Sequence, residues 1–233
     1  MIKVLSLGAG VNSTALLVLK AKGKVHFDCA VFADTGGEHP ETYRYLQEVI
    51  TPFCLEHNIE LVRVKSKKPP LYEHYFSKNI IPSRRWRHCT DHYKIRPLKK
   101  FALSKFPDEQ IQFLIGFATD EAHRVKEGCG NSYPLIELGV DREGCKTIIR
   151  EAGLPLPIKS GCYFCPFTKK SGWLNLLKSH KNLFVKAEEL EKNGSQYPKW
   201  TLTNKPLERV RESVEDQQSL CDWVPNCPIC EIE

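Results

Sequence analysis

The chain has 233 residues, of which 41% are hydrophobic, 10% aromatic and 27% charged, with a formal net charge of +6. That composition excludes collagen-like, low-complexity and disordered chains, and no stretch approaches the roughly 18 consecutive apolar residues of a membrane span. Ten cysteines, in a chain long enough to bury its own core, point to metal or redox chemistry in a reducing compartment rather than to a disulfide scaffold.

Ile2 to Leu7 reads as a short buried strand, broken by Gly8-Ala9-Gly10, and Ser13 to Lys20 as the start of an apolar helix. This apolar start lacks a small-residue cleavage site, so no secretory signal is expected and the protein reads as cytoplasmic, with no membrane partner. Val25 to Ala33 is a second strand, ending in Asp34-Thr35-Gly36-Gly37. A helix from Pro40 to His57 follows, with Pro40 suited to its first turn. Ile59 to Val64 alternates as a third strand, Tyr93 to Lys105 is helical, and Gln110 to Phe117 is a fourth strand running into Thr119-Asp120-Glu121. Strands alternating with helices over short links predict an α/β fold, a doubly wound parallel sheet whose strand C-terminal ends line one ligand-binding edge. After Gly130 come a helix over Asp141 to Glu151, a rigid Leu154-Pro155-Leu156-Pro157 connector, a tight loop over Gly161 to Pro166, and a helix over Lys169 to Leu190. These form a helical, cysteine-bearing C-terminal subregion.

The charge is uneven. From Arg63 to Lys105 thirteen Lys or Arg stand against only Glu73 and Asp91, a local balance of +11 that leaves −5 for the rest. Tyr72, Tyr75, Phe76, Trp86 and Tyr93 interleave with them. A solvated surface is the plain reading; a nucleotide or nucleic-acid partner is the other.

Three motifs fall at the expected strand ends. Ser6-Leu7-Gly8-Ala9-Gly10-Val11-Asn12-Ser13-Thr14 is strand, glycine turn, hydroxyl residues, then helix. Glycines admit an anion close to the backbone, and the free N–H groups and dipole of the helix attract phosphate. A tight capped turn gives the same pattern. No Lys follows as in a Walker loop, and the third glycine of the dinucleotide fingerprint is missing. Asp34, at the end of the second strand, suits a ribose hydroxyl, an adenine amino group or a metal, or else an Asx turn. After the fourth strand, Asp120 and Glu121 suit magnesium and Arg124 a phosphate, or the segment is only a capped helix start.

In this order the three motifs resemble the adenine nucleotide alpha-hydrolase superfamily, the PP-loop ATP pyrophosphatases, in its phosphoadenosine phosphosulfate reductase-like branch. The resemblance spans about Ile2 to Phe167. The superfamily's Ser-Gly-Gly-x-Asp-Ser loop lies over Gly8 to Ser13: Gly10 and Ser13 match, while Gly8, Ala9 and Asn12 replace Ser, Gly and Asp. The resemblance implies a Rossmann-like sheet and an organisation of residues 1–130 as the nucleotide-binding PP-loop domain, continuous with a C-terminal helical region over 131–233. It implies ATP or another adenine nucleotide, with Mg2+, held by Ser6, Gly8, Gly10, Asn12, Ser13, Thr14, Asp34, Thr35 and Gly36. Asp34, Asp120, Glu121 and Arg124 are then the catalytic candidates.

Cys89, Cys145, Cys162 and Cys165 are the candidate metal ligands, and the C-x-x-C spacing of the last two suits one centre. Spacing leaves zinc and a 4Fe-4S cluster open. The resemblance to cluster-bearing sulfur-transfer members favours the cluster. The second pair, Cys227/Cys230, and Cys221 suit a sulfur relay, a metal pair, a further cluster ligand or an inert tail. The implied function is an enzyme of sulfur chemistry, activating an acceptor with ATP and transferring sulfur to it, with nucleic acid as an acceptor and a sulfur donor protein or thiol reductant as partner. The alternatives are a thiol-dependent phosphoadenylyl- or adenylyl-sulfate reductase, and a non-catalytic nucleic-acid-binding module stabilised by zinc or a cluster.

Overall fold

The computed structural model describes residues 1–125, 130–194, 201–203 and 206–212. They divide into two compact units, the first built from Met1–Leu71 and His88–Cys162, the second from Tyr72–Arg87 and the chain from Tyr163 onward.

The first unit is a five-stranded sheet in the order β3-β2-β1-β4-β5, every neighbouring pair parallel. The strands are β1 (Ile2–Leu7), β2 (Cys29–Asp34), β3 (Glu60–Lys65), β4 (Ile111–Ile115) and the two-residue β5 (Asn131–Ser132). All six residues of β2 are buried, because helices cover both faces of a parallel sheet. Successive side chains alternate between the faces. Leu5, Leu7, Ala30, Phe32 and Leu114 belong to one apolar cluster with Ala15, Leu16 and Leu19 of α1 (Val11–Ala21). Val4, Cys29 and Val31 belong to another with Leu98 and Ala102 of α6 (Arg96–Lys105). The doubly wound architecture is therefore as the sequence predicts.

The helix predicted over Pro40 to His57 runs as α2 (Pro40–Tyr45), a π-helical turn (Leu46–Ile50) and α3 (Thr51–Glu56). Pro52 explains the wide turn: its ring and missing N–H disfavour a regular α-turn upstream. Thr51 Oγ1 donates to the Leu46 carbonyl at 2.7 Å. The same device recurs where α5 (His88–Thr90) passes through a π turn (Asp91–Ile95) into α6, just before Pro97.

Residues 131–162, expected with the C-terminal region, pack with the first unit. There β5 pairs with β4, α7 (Pro134–Glu137) follows it, and α8 (Arg142–Glu151) places Cys145 and Ile149 in the α1 cluster. In the second unit, which includes α4 (Leu71–Ser77) after its first residue, the helix predicted over Lys169 to Leu190 breaks at His180 into α9 (Lys170–Ser179) and α10 (Lys181–Asn193). Its core holds Trp173 edge-on to Phe184 with Leu176 and Leu190. The buried Glu191 accepts the N–H groups of Leu202 and Leu207, both at 2.7 Å. Among the described residues no helix is long and apolar enough to cross a membrane.

Candidate nucleotide site

The strand order reverses direction between β1 and β4: the chain moves from β1 to β2 and β3 on one side, then returns to β4 on the other. At such a switch point the loops leaving two adjacent strands diverge and open a crevice beyond their C-terminal ends. The first and third motifs leave those two strands. Ser6 sits in β1 between Val31 and Ile115. Gly8 and Gly10 both donate their N–H to Ser13 Oγ at 3.3 Å, and Ser13 Oγ donates to the Gly10 carbonyl at 3.1 Å. One hydroxyl thus shapes the whole turn. Thr14, fully buried, begins the regular helical ladder by donating to Gly10 at 3.0 Å. Gly10, at the N-cap, has no side chain to cap α1, and the first N–H groups of a helix have no partner within it.

Two close approaches need glycine. A Cβ on Gly10 would sit 2.7 Å from Ser160 Oγ, and a Cβ on Gly116 would sit 3.2 Å from the Ser13 nitrogen. Ser160 therefore faces the loop from about 150 residues away in sequence. Asn12 bridges the two motifs: its Nδ2 donates to the Gly116 carbonyl at 3.0 Å and to Glu121 Oε2 at 2.8 Å. Its Oδ1 is buried and accepts nothing among the described residues. Glu121 also pairs with Arg124, whose guanidinium lies 4.2 Å from the Phe117 ring centroid. Phe117 in turn stacks on Tyr133 at 5.7 Å. Asp120 is exposed and accepts the Arg142 N–H at 3.2 Å.

Beside this crevice, at the end of β2, Asp34 is almost fully buried and heavily engaged. It accepts from Tyr43 Oη at 2.7 Å and the Gly36 nitrogen at 2.9 Å on one oxygen. On the other it accepts from Arg63 at 2.8 and 3.1 Å, with Lys65 Nζ at 3.5 Å. Burial alone would raise this carboxyl, but these bonds outweigh it and hold it below the ordinary carboxylate range. Asp34 acts as the hub of the β2 loop. Gly36 has φ +72° and lies against Pro70, with a Cβ there 2.8 Å from the proline side chain. Thr35 Oγ1 donates to Glu38 Oε1 at 3.2 Å and lies 3.4 Å from Cys162 Sγ. Buried Glu38 accepts from Lys94 Nζ at 2.9 Å. Desolvation opposes the charge on Lys94, but Glu38, Cys162 and Cys89 raise it above the ordinary lysine range. Ser160, Glu38, Lys94 and Arg63 are site residues that motif reading missed; only the density of basic residues hinted at the last two.

The cysteines separate. Cys89 and Cys162 share the neighbourhood of Lys94. Cys145 lies in the apolar cluster against α1, fully buried, where desolvation pushes its thiol up to about 12. Cys165 belongs to the second unit, and Cys221, Cys227 and Cys230 lie outside the described residues. Among the described residues no three His, Cys, Asp or Glu side chains are grouped to hold a metal ion. The four-cysteine set does not fit a cluster, because Cys145 would have to leave its apolar cluster against α1. Magnesium fits differently, since it is commonly held by one or two carboxylates together with substrate phosphates, and Asp120 and Glu121 stand at the crevice.

Residues 2–128 match the phosphoadenosine phosphosulfate reductase domain family. The chain belongs to that family. It is 29% identical over 194 residues to an uncharacterised nin-region protein of Escherichia phage lambda, covering 71% of this chain and 66% of that protein. It is 32% identical over 101 residues to an uncharacterised protein of Methanocaldococcus jannaschii, covering 43% of this chain and 19% of that one. The chain thus spans less than two thirds of the length of these curated relatives. Among solved structures it is similar to a phosphoadenylyl-sulfate reductase from Candida auris in its phosphate complex, with 20% identity, a TM-score of 0.47, and coverage of 67% of this chain and 75% of that one.

Membership of the phosphoadenosine phosphosulfate reductase family makes this a PP-loop domain, and it gives the loop departures a physical meaning. Ala9 holds φ +52°, the left-handed conformation that suits the family's glycine there. Asn12, standing where the family loop has Asp, donates to Glu121; a carboxylate at position 12 would instead face the Glu121 carboxylate.

Proposed function

We propose that this family member binds an adenine nucleotide with its phosphates on the Gly8 to Thr14 loop, and uses it to activate an acceptor for sulfur transfer. The observation that carries this reading is the coincidence of the uncapped α1 N-terminus with the β1/β4 switch point. The first N–H groups of α1, which have no partner within the helix, bind phosphate oxygens, with the Ser13 and Ser160 hydroxyls beside them. Asn12 anchors Glu121, and Glu121 holds Arg124 against Phe117, so a cation stands ready across the crevice for the departing pyrophosphate. Asp120 or Glu121 would hold a magnesium ion, which would neutralise charge on the phosphates. The acceptor attacks the α-phosphorus and pyrophosphate leaves; the terminal sulfur of a donor-protein persulfide displaces AMP, joining acceptor and donor by a disulfide, and a second thiol reduces that disulfide to free the thiolated acceptor. Nucleic acid is the acceptor class in this reading.

The second reading is thiol-dependent reduction of an adenylyl or phosphoadenylyl sulfate. The Cys162 thiol beside Thr35, Glu38 and Lys94 favours it. Cys89 and Cys162, both near Lys94, are the thiols of the first unit that would hold a metal. Anaerobically purified protein given ATP, a nucleic-acid acceptor and a persulfide donor releases pyrophosphate under the first reading. Given adenylyl sulfate and a thiol, it releases sulfite under the second. Neither product, with nucleotide still bound, leaves the non-catalytic module.

A further inference from the structure

We infer that the second unit carries a surface for single-stranded nucleic acid, built from Arg84, Arg85, Trp86, Arg87 and Phe167. This inference is independent of the nucleotide site, since every residue in it belongs to the second unit.

Many of the cations between Arg63 and Lys105 are already spoken for. Asp34 takes Arg63 and Lys65, Glu38 takes Lys94, Asp91 takes Arg96, and Glu60 takes Lys105. Arg84, Arg85 and Arg87 differ: among the described residues none of them pairs with a carboxylate, and all three are exposed. Their guanidinium groups lie instead on aromatic rings. Arg84 and Arg87 both cover Phe167, at 6.0 and 5.6 Å from its centroid, and Arg85 lies 5.3 Å from that of Trp86. Trp86 and Phe167 are large apolar side chains left 56% and 46% exposed.

The backbone is organised to present these side chains together. Ser83 Oγ accepts the Arg85 N–H at 3.1 Å, its carbonyl accepts the Arg87 N–H at 3.4 Å, and Arg84 Nε donates to the Pro166 carbonyl at 2.6 Å. Arg87 sits at φ +42°, where glycine would be easier. An arginine held in a costly conformation, unpaired and exposed, points to use of the side chain rather than to folding.

Arginines alone would suit any polyanion. Arginines on exposed aromatic rings suit unpaired bases, which stack on the guanidinium planes and the uncovered ring faces while their phosphates meet the guanidinium N–H groups. Duplex DNA hides its base faces, so the arrangement favours a single strand.

Fluorescence anisotropy of a labelled 20-nucleotide oligo(dT), titrated with the full chain at several salt concentrations, tests this. A duplex of the same length and anionic phosphatidylserine vesicles serve as comparison ligands. The single strand should bind more tightly than the duplex. The R84A/R85A/R87A variant should flatten the slope of log affinity against log salt by about 2, at roughly 0.7 per phosphate contact on a single strand. W86A or F167A should each weaken binding by about tenfold. Arg87→Gly is the folding control: it removes the charge and relieves the backbone, so affinity should fall with thermal stability kept or raised. Failure of the oligonucleotide to bind at low salt overturns the inference. So do indifference to W86A and F167A, preference for the duplex, or binding of the vesicles alone. ATP affinity, measured on the same samples, reports the Gly8 loop separately.

Discussion

Asp34, singled out by its motif, organises the β2 loop from the end of its strand. Its carboxylate is already bound by Tyr43, Gly36, Arg63 and Lys65, so it stiffens the floor beside the nucleotide loop and leaves little acceptor capacity for a substrate. Because its folded-state pKa lies below the ordinary value, its contribution is full above about pH 4 and is lost as pH falls through the lower, folded value. Asp34→Asn keeps an oxygen for Tyr43 and Gly36 but loses the charge. Since Arg63 is half exposed, the cost should be modest, about 1–2 kcal/mol at neutral pH. Urea unfolding at pH 7 and pH 3 checks this: the gap between variant and wild type should narrow in acid, and a gap that widens would contradict it. At this scale the sequence exposes the residues whose backbone needs are unusual, such as Gly10, Gly36 and the left-handed Ala9. It conceals Ser160, Glu38 and Lys94, whose meaning depends on what the fold brings beside them.

Elements with long apolar periods were legible. β1, β2, β3, β4 and α1 fall within a few residues of their expected positions, and prolines 52 and 97 widen their helices without breaking them. The two-residue β5 was not legible, because a parallel edge pairing so short has no period to detect. The same local blindness places the boundary at Gly130, whereas α8 returns to α1 and keeps residues up to 162 in the first unit. Cys145 is the consequence: a helix face that reads as a metal ligand by counting cysteines is a packing residue by burial. Cys145→Ala should lower stability by about 1–2 kcal/mol, the cost of a small cavity between α1 and α8. It should leave the iron and zinc content of the purified protein unchanged. Loss of bound metal in that variant, counted by plasma emission, would return Cys145 to the ligand set.

Across the whole molecule the +6 charge resolves into parts with different tasks. Arg63, Lys65 and Lys94 hold the β2 loop together from within the first unit, while Arg84, Arg85 and Arg87 pair with no carboxylate among the described residues. Counting charge along the sequence merges these sets; only their partners separate them. In the first unit, the loop at the β1/β4 switch point is the proposed seat of an adenine nucleotide's phosphates. Isothermal titration of the full chain with ATP and Mg2+, beside the Gly10→Val variant, addresses it most directly. The wild type should bind one nucleotide per chain. The variant, whose branched side chain would enter the space before the α1 N–H groups and against Ser160, should bind none while keeping a cooperative unfolding transition. Unchanged affinity in the folded variant, or no heat from the wild type with ATP, AMP or adenylyl sulfate, would contradict the account.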